Sequence, residues 1–199
     1  MEHSPTRQEP GHVGLPRLRE RMLTAIVLAN SQGKQGLAPQ PPEQAARTLA
    51  FLVSAAVQGV VRDAVLIGEG SAALRYVADY AGCTLVTEPD PAKALGEALA
   101  AARSEQVFLL KAGYAAEPRL IDEIRDFLEF GPGREGICGL VREVAGGFVQ
   151  RVLPSTSPLA GVVAPRDKSR AAQARDVSDM VRRLRPAITF KTGARRLTY

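Results

Sequence analysis

Three short segments of this chain place polar, charged and glycine residues directly after stretches that predict buried strands. They are residues 29–31, 68–71 and 111–114. Lys111 in the third can bind a phosphate as a point charge, and backbone amides in glycine-containing turns can surround an anion. Ligands of open α/β sheets bind outside the carboxyl ends of the strands. These segments are therefore the predicted ligand site, whichever ligand the protein takes.

Short apolar runs supply the strands that must position those segments. The runs are 23–29, 64–67, 84–87 and 106–110. Segments with helical spacing or helix-start signals lie between and after them, at 43–57, 71–81, 91–103 and 118–130. Strands that alternate with helices imply βαβ units, a mainly parallel sheet and helices on both faces.

The remaining segments carry different signals. Residues 30–42 are rich in Gly, Gln and Pro, which predicts a loop. The runs 137–144 and 148–153 flank Gly146-Gly147, which predicts a C-terminal hairpin. Three further elements follow along the chain: a strand at 161–164, a helix at 167–184 and a strand at 187–190.

Composition excludes several kinds of chemistry. The chain has 199 residues, of which 45% are hydrophobic, enough for one domain with a substantial core. Its two histidines are His3 and His12, so a histidine-based triad or zinc site is not expected. Cys83 and Cys138 lie in apolar runs and are predicted to be buried, reduced thiols. We divide the chain into a flexible basic N-terminal extension, residues 1–21, and a single domain, residues 22–199.

The net charge of +5 is concentrated near the two ends of the chain. The cationic residues in these clusters are Arg7, Arg17, Arg19, Arg21, Arg182, Arg183, Arg185, Lys191, Arg195 and Arg196. Such clusters can attract a protein partner or an anionic membrane surface. Nucleic acid is not the expected partner, because no aromatic residues interleave with the clusters as base-stacking platforms. No apolar run approaches a membrane span, so the cytoplasm is the expected location, with peripheral membrane association left open.

Four stretches resemble a bacterial branch of the family 2 glycosyltransferases. They are 52–63, 81–86, 161–166 (Gly-Val-Val-Ala-Pro-Arg) and 179–183 (Asp-Met-Val-Arg-Arg). In the family the last two usually read Gly-Leu-Leu-Ile-Ser-Arg and Asp-Leu-Val-Arg-Arg. The resemblance covers about Met22 to Tyr199 and implies the GT-A fold, a Rossmann-like α/β sheet that binds a nucleotide-sugar.

The functional motifs of that family are altered in this chain. Residues 68–71 read Gly-Glu-Gly-Ser where the family has Asp-Gly-Gly-Ser, and residues 111–113 read Lys-Ala-Gly where it has a metal-binding Asp motif. The resemblance implies a nucleotide or nucleotide-sugar site built from Asn30, Ser31, Gly68, Glu69, Ser71 and Lys111. A divalent metal is not expected from the protein's own ligands, because Lys111 cannot hold Mg²⁺ or Mn²⁺. The identity of any cofactor stays open.

Asp176 and Asp179 are the candidate catalytic residues. The family has a Glu-Asp-x-Asp motif that carries its general base, and residues 176–179 keep acids at the two outer positions. Either carboxylate could accept a proton from a sugar hydroxyl, and either could instead stabilise a helix start. With this many altered motifs, the resemblance implies a glycosyltransferase-like protein whose catalysis is impaired or lost, with a binding or scaffold role.

Two alternatives remain. Residues 26–36 resemble the loop of molybdenum-cofactor-type nucleotidyltransferases, whose pattern is Leu-Ala-Gly-Gly-x-Ser-x-Arg-Met-Gly. The chain could also be a non-enzymatic interaction protein that uses its basic ends. Preference for GTP or CTP over UDP would favour the first alternative, and salt-sensitive binding that is lost with the basic ends would favour the second.

Overall fold

The fold was analysed in a computed structural model. It describes residues 22–33, 36–39, 41–144 and 157–197. The predicted extension at 1–21 and the predicted strand at 148–153 lie outside these ranges. Eleven strands and six α-helices are described in this part of the chain.

The first half of the chain alternates strands and helices. In chain order the elements are β1 (Leu23–Leu28), β2 (Asn30–Gly33), β3 (Gly36–Pro39), α1 (Pro42–Val57), β4 (Val61–Ile67), α2 (Ala72–Ala81), β5 (Thr84–Val86), α3 (Pro91–Ala101) and β6 (Gln106–Lys111). Residues 30–33 and 36–39 lie in the segment that the composition predicts as a loop, and they instead form the antiparallel pair β2–β3. That prediction was wrong because glycine and proline mark the ends of such short strands as readily as they mark a loop.

The second half begins with the short strand β7 (Tyr114–Ala116). It continues with α4 (Pro118–Glu129), a 3₁₀ turn (Pro132–Glu135), β8 (Cys138–Arg142), β9 (Leu159–Pro165), α5 (Arg166–Ala172), α6 (Val177–Arg183), β10 (Ala187–Thr189) and β11 (Ala194–Arg196). The single helix predicted at 167–184 is therefore two helices. The chain turns between them at Gln173, whose φ of 47° is left-handed and incompatible with a continuous helix.

Seven strands form the central sheet in the order β10-β8-β9-β6-β1-β4-β5. β9 is antiparallel to both of its neighbours, and the other pairs are parallel. The predicted α/β class and mainly parallel sheet are thus confirmed. The described partners of β8 are β9 and β10, the predicted hairpin arm at 148–153 lies outside the described residues, and β7 pairs with β11 in a separate two-stranded ribbon.

Each face of the central sheet has its own apolar core, and β1 shows why. Its residues are all buried, and they alternate between the two faces as a pleated strand requires. Leu23, Ala25 and Val27 pack into the core beneath α1, α2 and α4. Ile26 and Leu28 pack into the opposite core beneath α3 and α6. Helices therefore cover both faces, as predicted, and the carboxyl ends of the parallel strands open at one edge.

Candidate functional site

The predicted ligand-binding segments meet at the carboxyl edge of the central strands. β1 lies between β4 and β6, and Leu28 pairs with both Ile67 and Lys111. Backbone hydrogen bonds continue past the strand ends, from Ala29 N to Ile67 O at 2.8 Å and from Ala112 N to Leu28 O at 2.9 Å. The structure thus brings the backbones of segments 29–31, 68–71 and 111–114 together. The side chains of Asn30 and Ser31 lie outside the described part of the chain.

The segment after β4 has a clear role in starting α2. The Ser71 hydroxyl accepts a hydrogen bond from Leu74 N at 3.2 Å, which caps the helix. Gly68 is buried, and a Cβ added there would lie 2.3 Å from Leu74 Cδ2, so only glycine allows this close approach. Glu69 between them is exposed. Of the three predicted residues, Glu69 is therefore the one with a functional group directed to solvent.

Lys111 is a half-buried cation at the end of β6. Burial lowers the pKa of its ammonium group, and the negative charge of Asp176 opposes that shift. Within the described residues, Lys111 makes no hydrogen bond or ion pair. The site therefore contains a partly desolvated amine whose donors remain available to an anionic ligand.

The turn after β6 is held by residues that are distant in sequence. Gly113 has a φ of 83°, which favours glycine. Its N–H donates to Thr48 Oγ1 at 3.1 Å, and the Thr48 hydroxyl donates to Tyr114 O at 3.0 Å. Leu197 N donates to Gly113 O at 2.7 Å from the other side. Thr48 thus fixes the backbone immediately after Lys111.

Sequence reasoning missed this role of Thr48, although one signal for it was present. Thr48 lies three residues after Ala45 and four before Leu52, and both of these are buried positions of α1. A hydroxyl at helical spacing on an apolar face must find a partner inside the fold. The identity of that partner depends on tertiary structure.

Tyr114 adds a hydroxyl next to the same turn. Its OH donates to Glu143 Oε2 at 2.9 Å. Burial first, and then the hydrogen bond to the Glu143 carboxylate, raises the pKa of Tyr114 to about 12. The phenol therefore stays protonated near neutral pH and acts as a hydrogen-bond donor rather than as a base.

The two candidate catalytic carboxylates lie at the start of α6 and differ in their surroundings. Asp176 caps the helix by accepting a hydrogen bond from Asp179 N at 2.7 Å, and its charge acts on Lys111. Asp179 accepts from Arg183 Nε at 3.1 Å, from Arg182 Nη2 at 3.3 Å and from Arg175 N at 3.1 Å. The hydrogen bond from Arg183 outweighs burial and lowers the pKa of Asp179. Asp179 is thus engaged through both oxygens, which favours a structural role, whereas Asp176 is the one of the two whose charge acts on Lys111.

Asp179→Asn is expected to lower the free energy of unfolding by about 1 kcal/mol at pH 7, because the amide accepts weaker hydrogen bonds than the charged carboxylate. The loss is limited because Arg182 and Arg183, which donate to Asp179, are both exposed to solvent. Folding lowers the pKa of Asp179 below its ordinary value of 3.8, so its contribution is present above that pH and is lost as pH falls through the folded-state pKa. Urea unfolding between pH 7 and pH 3 should show that the stability difference between the variant and the parent protein shrinks below about pH 4.

The exposed Asp122, paired with Arg125 at 3.3 Å, provides the control variant Asp122→Asn, for which we expect a change under about 0.5 kcal/mol. A difference that persists undiminished at low pH would contradict the assignment.

Carboxylates that could hold a divalent cation are not clustered here. At residues 111–113 the side chains are an amine and a methyl group, and the third residue is a glycine, so none of them offers an oxygen ligand. Asp176 is the carboxylate whose charge acts on Lys111. Across the described ranges no group of three or more His, Cys, Asp or Glu residues is arranged to hold a metal ion. The residues at the end of β6 therefore do not fit the metal centre that the resemblance implies, and no chemical step is derived through a metal.

The decisive feature for comparison is the strand order, in which one reversed strand is inserted beside the centre of an otherwise parallel sheet. The fold is therefore a Rossmann-like α/β fold with a mainly parallel seven-stranded sheet. No protein-family model and no curated protein sequence matches the chain.

Several solved structures are similar to this chain. HddC from Yersinia pseudotuberculosis, complexed with GMP-PN, is 10% identical with a TM-score of 0.56, over 88% of this chain and 94% of that one. The 4-diphosphocytidyl-2C-methyl-D-erythritol synthase of Anaerococcus prevotii is 9% identical with a TM-score of 0.56, over 92% and 94%. S. aureus TarS residues 1–349, in complex with UDP, is 10% identical with a TM-score of 0.53, over 87% and 59%. At these identities the likeness establishes the fold, and it confirms the coarse expectation of a nucleotide-binding transferase-like fold.

No helix in the described ranges is long and apolar enough to cross a membrane.

Proposed function

We propose that this protein binds a nucleotide or nucleotide-sugar at the carboxyl edge of its sheet and that its glycosyltransferase-type catalysis is impaired or lost. The observation that carries the proposal is Lys111, a half-buried amine at the end of a central strand. In a site of this kind a ligand diphosphate needs positive charge, and Lys111 supplies it directly. The likeness to structures complexed with GMP-PN and UDP supports the ligand class.

The surroundings of the two carboxylates support the loss of catalysis. Asp179 is bound by Arg182 and Arg183, which hold it in the charged form. Asp176 caps the start of α6 through its hydrogen bond from Asp179 N, and its negative charge acts on Lys111. The arrangement suits binding of an anion beside Lys111 better than removal of a proton from an acceptor hydroxyl.

Lys111→Met is expected to weaken nucleotide binding by about 10- to 100-fold, because it removes a charge-assisted contact while keeping the length of the side chain. Binding should be measured by titration calorimetry and thermal unfolding with UDP, GDP, CDP, GTP and CTP, each with and without Mn²⁺. We expect stabilisation that does not require Mn²⁺. Lys191→Met, at an exposed lysine beside α4, changes the net charge equally and should leave the affinity unchanged.

The pH dependence of the same binding provides a second readout. Because burial lowers the pKa of Lys111, its positive charge is lost at a lower pH than that of an ordinary lysine, whose pKa is 10.5. Affinity should therefore fall as pH rises through that lowered value. In Lys111→Arg the cation persists, so the alkaline fall should disappear. Undiminished affinity in Lys111→Met, or stabilisation by nucleotide only with Mn²⁺, would contradict the proposal.

A nucleotidyltransferase-like ligand preference is the second candidate. It is supported by the likeness to a 4-diphosphocytidyl-2C-methyl-D-erythritol synthase over 92% of this chain. The same nucleotide panel separates the candidates, because a clear preference for GTP or CTP over UDP and GDP would favour it. A third role, as an interaction protein that uses the basic ends, would be favoured if no nucleotide stabilised the protein.

A further inference from the structure

Two cavities flank helix α5 on the face of the sheet that carries α3 and α6. The larger, of about 600 Å³, lies between α3 and α5 and includes Asp90, Gly96 and Gln173 in its lining. The smaller, of about 340 Å³, lies on the other flank of α5, next to Gly136 and Cys138. Arg183 lines both cavities. The two cavities therefore form one surface on the two flanks of α5. We call this surface the α5 groove.

Cationic side chains dominate the lining of the α5 groove. The cations are Lys93, Lys168, Arg170, Arg175, Arg183 and Arg185. Asp90 is the one carboxylate among the lining residues of these two cavities. Its oxygen already accepts hydrogen bonds from Ala92 N and Lys93 N, both at 2.9 Å, at the start of α3. The groove thus has a concentrated positive charge, and the helix amides nearest to it are already occupied.

Most of these cations keep donors for a ligand. Lys168 Nζ donates to Gly136 O at 3.0 Å, and Arg183 donates to Asp179 and to Ala172 O. An ammonium group has three N–H donors and a guanidinium group has five, so both side chains keep donors that these bonds do not use. Arg170 and Arg185 are exposed, and their side chains make no hydrogen bond or ion pair to another described residue. Asp90 and Asp179 offset only part of this positive charge, and the cations that remain repel one another. An anionic ligand would relieve that repulsion.

We propose that the α5 groove binds a ligand with at least two phosphate groups. Arginine forks and lysine ammonium groups are the side chains that bind phosphate. Among the described residues no aromatic side chain lines either cavity, which disfavours nucleobases and leaves the phosphates themselves as the recognised groups. The ligand is either a soluble polyphosphorylated molecule or a phosphate-bearing lipid headgroup. Lys111 is not among the described lining residues of either cavity, so the groove and the proposed nucleotide site do not share that cation.

The test uses the full chain with two probes, inorganic tripolyphosphate and vesicles of cardiolipin, a lipid with two phosphates in its headgroup, mixed with phosphatidylcholine. The variant Lys168→Gln with Arg170→Gln removes one cation from each cavity, and both residues are exposed on α5. Its matched control is Arg119→Gln with Lys191→Gln, which removes the same charge at exposed positions on and beside α4, across the sheet. We expect the groove variant to bind the effective probe about tenfold or more weakly, with unchanged thermal stability, while the control binds normally.

Each outcome bears on the proposal. Loss of tripolyphosphate binding in the groove variant alone supports a soluble ligand, and loss of vesicle binding alone supports a lipid headgroup. Equal weakening in the control variant, no weakening in either variant, or no binding of either probe overturns the proposal. The groove variant Lys168→Gln with Arg170→Gln should leave nucleotide affinity unchanged, because neither residue belongs to the proposed nucleotide site, so failure of the nucleotide proposal and failure of this one are distinguishable.

Discussion

Gly161→Ala is expected to lower the free energy of unfolding by about 3 kcal/mol, because it forces a methyl group against the backbone of the central sheet. Gly161 lies in β9 between β6 and β8 and pairs with Leu110 and Val141. A Cβ at this position would lie 2.5 Å from the Leu109 carbonyl oxygen and 3.0 Å from Phe108 Cε2. Both are in a buried strand, so neither can move without displacing its neighbours. Urea unfolding followed by circular dichroism provides the measurement.

Gly96→Ala is the matched control for that substitution. Gly96 lies inside α3, and a Cβ added there would meet nothing within 4 Å. Alanine has the higher helix propensity, so this variant should be more stable than the parent protein by about 0.5–1 kcal/mol. The same chemical change is thus predicted to have opposite signs at the two positions. Equal effects at both would show that the close approach at β9 does not govern stability.

Thr48→Val is expected to lower the free energy of unfolding by about 2 kcal/mol and to weaken nucleotide binding. Valine matches the shape of threonine but leaves Gly113 N without its acceptor, and a buried unpaired donor costs about 1–3 kcal/mol. The turn that follows Lys111 loses its attachment to α1 at the same time. We expect nucleotide affinity to fall by about tenfold, because the amine is then less well positioned. Unfolding and calorimetry on the same preparation measure both effects.

Two variants on α1 isolate the hydroxyl of Thr48. Thr48→Ser keeps the hydrogen-bonding group and removes one methyl, so stability should fall by about 1 kcal/mol with nucleotide affinity preserved. Ser54→Ala removes an exposed hydroxyl that bonds only within its own helix, to Phe51 O at 2.8 Å, and should change stability by less than about 0.5 kcal/mol. Reduced affinity in Thr48→Ser would indicate that packing, rather than the hydrogen bonds, positions the turn.

The elements that were predictable from sequence are those whose signal is local. β1 and β6 are continuous apolar runs because both of their faces are buried, and their neighbours could be inferred from the alternation with helices. Ser71 and Asp90 are recognisable as helix caps by residue type alone, and both accept the expected hydrogen bonds. Lys111 could be placed at the site because its strand was predictable.

The elements that were missed depend on distant partners. β7 and β11 have three residues each and exist through their pairing with one another. Neither has enough residues for a hydrophobic period to be visible. The break between α5 and α6 occurs at Gln173, a residue type that gives little warning of a left-handed conformation. The edge of the sheet that carries the candidate nucleotide site could therefore be predicted from the sequence. The α5 groove could not, because it depends on the break between α5 and α6, where a single helix was predicted.

The turn after Lys111 also has a consequence for the order of folding. It depends on a hydrogen bond from Gly113 N to Thr48, which lies 65 positions away. Glu117, directly after β7, accepts a hydrogen bond from Arg195 of β11, which lies 78 positions away. Closing loops of that length is slow compared with forming helices. Protection of the Gly113 amide from hydrogen exchange should therefore appear late in refolding, after the helices have formed. The ligand site would then be among the last parts of the domain to become ordered.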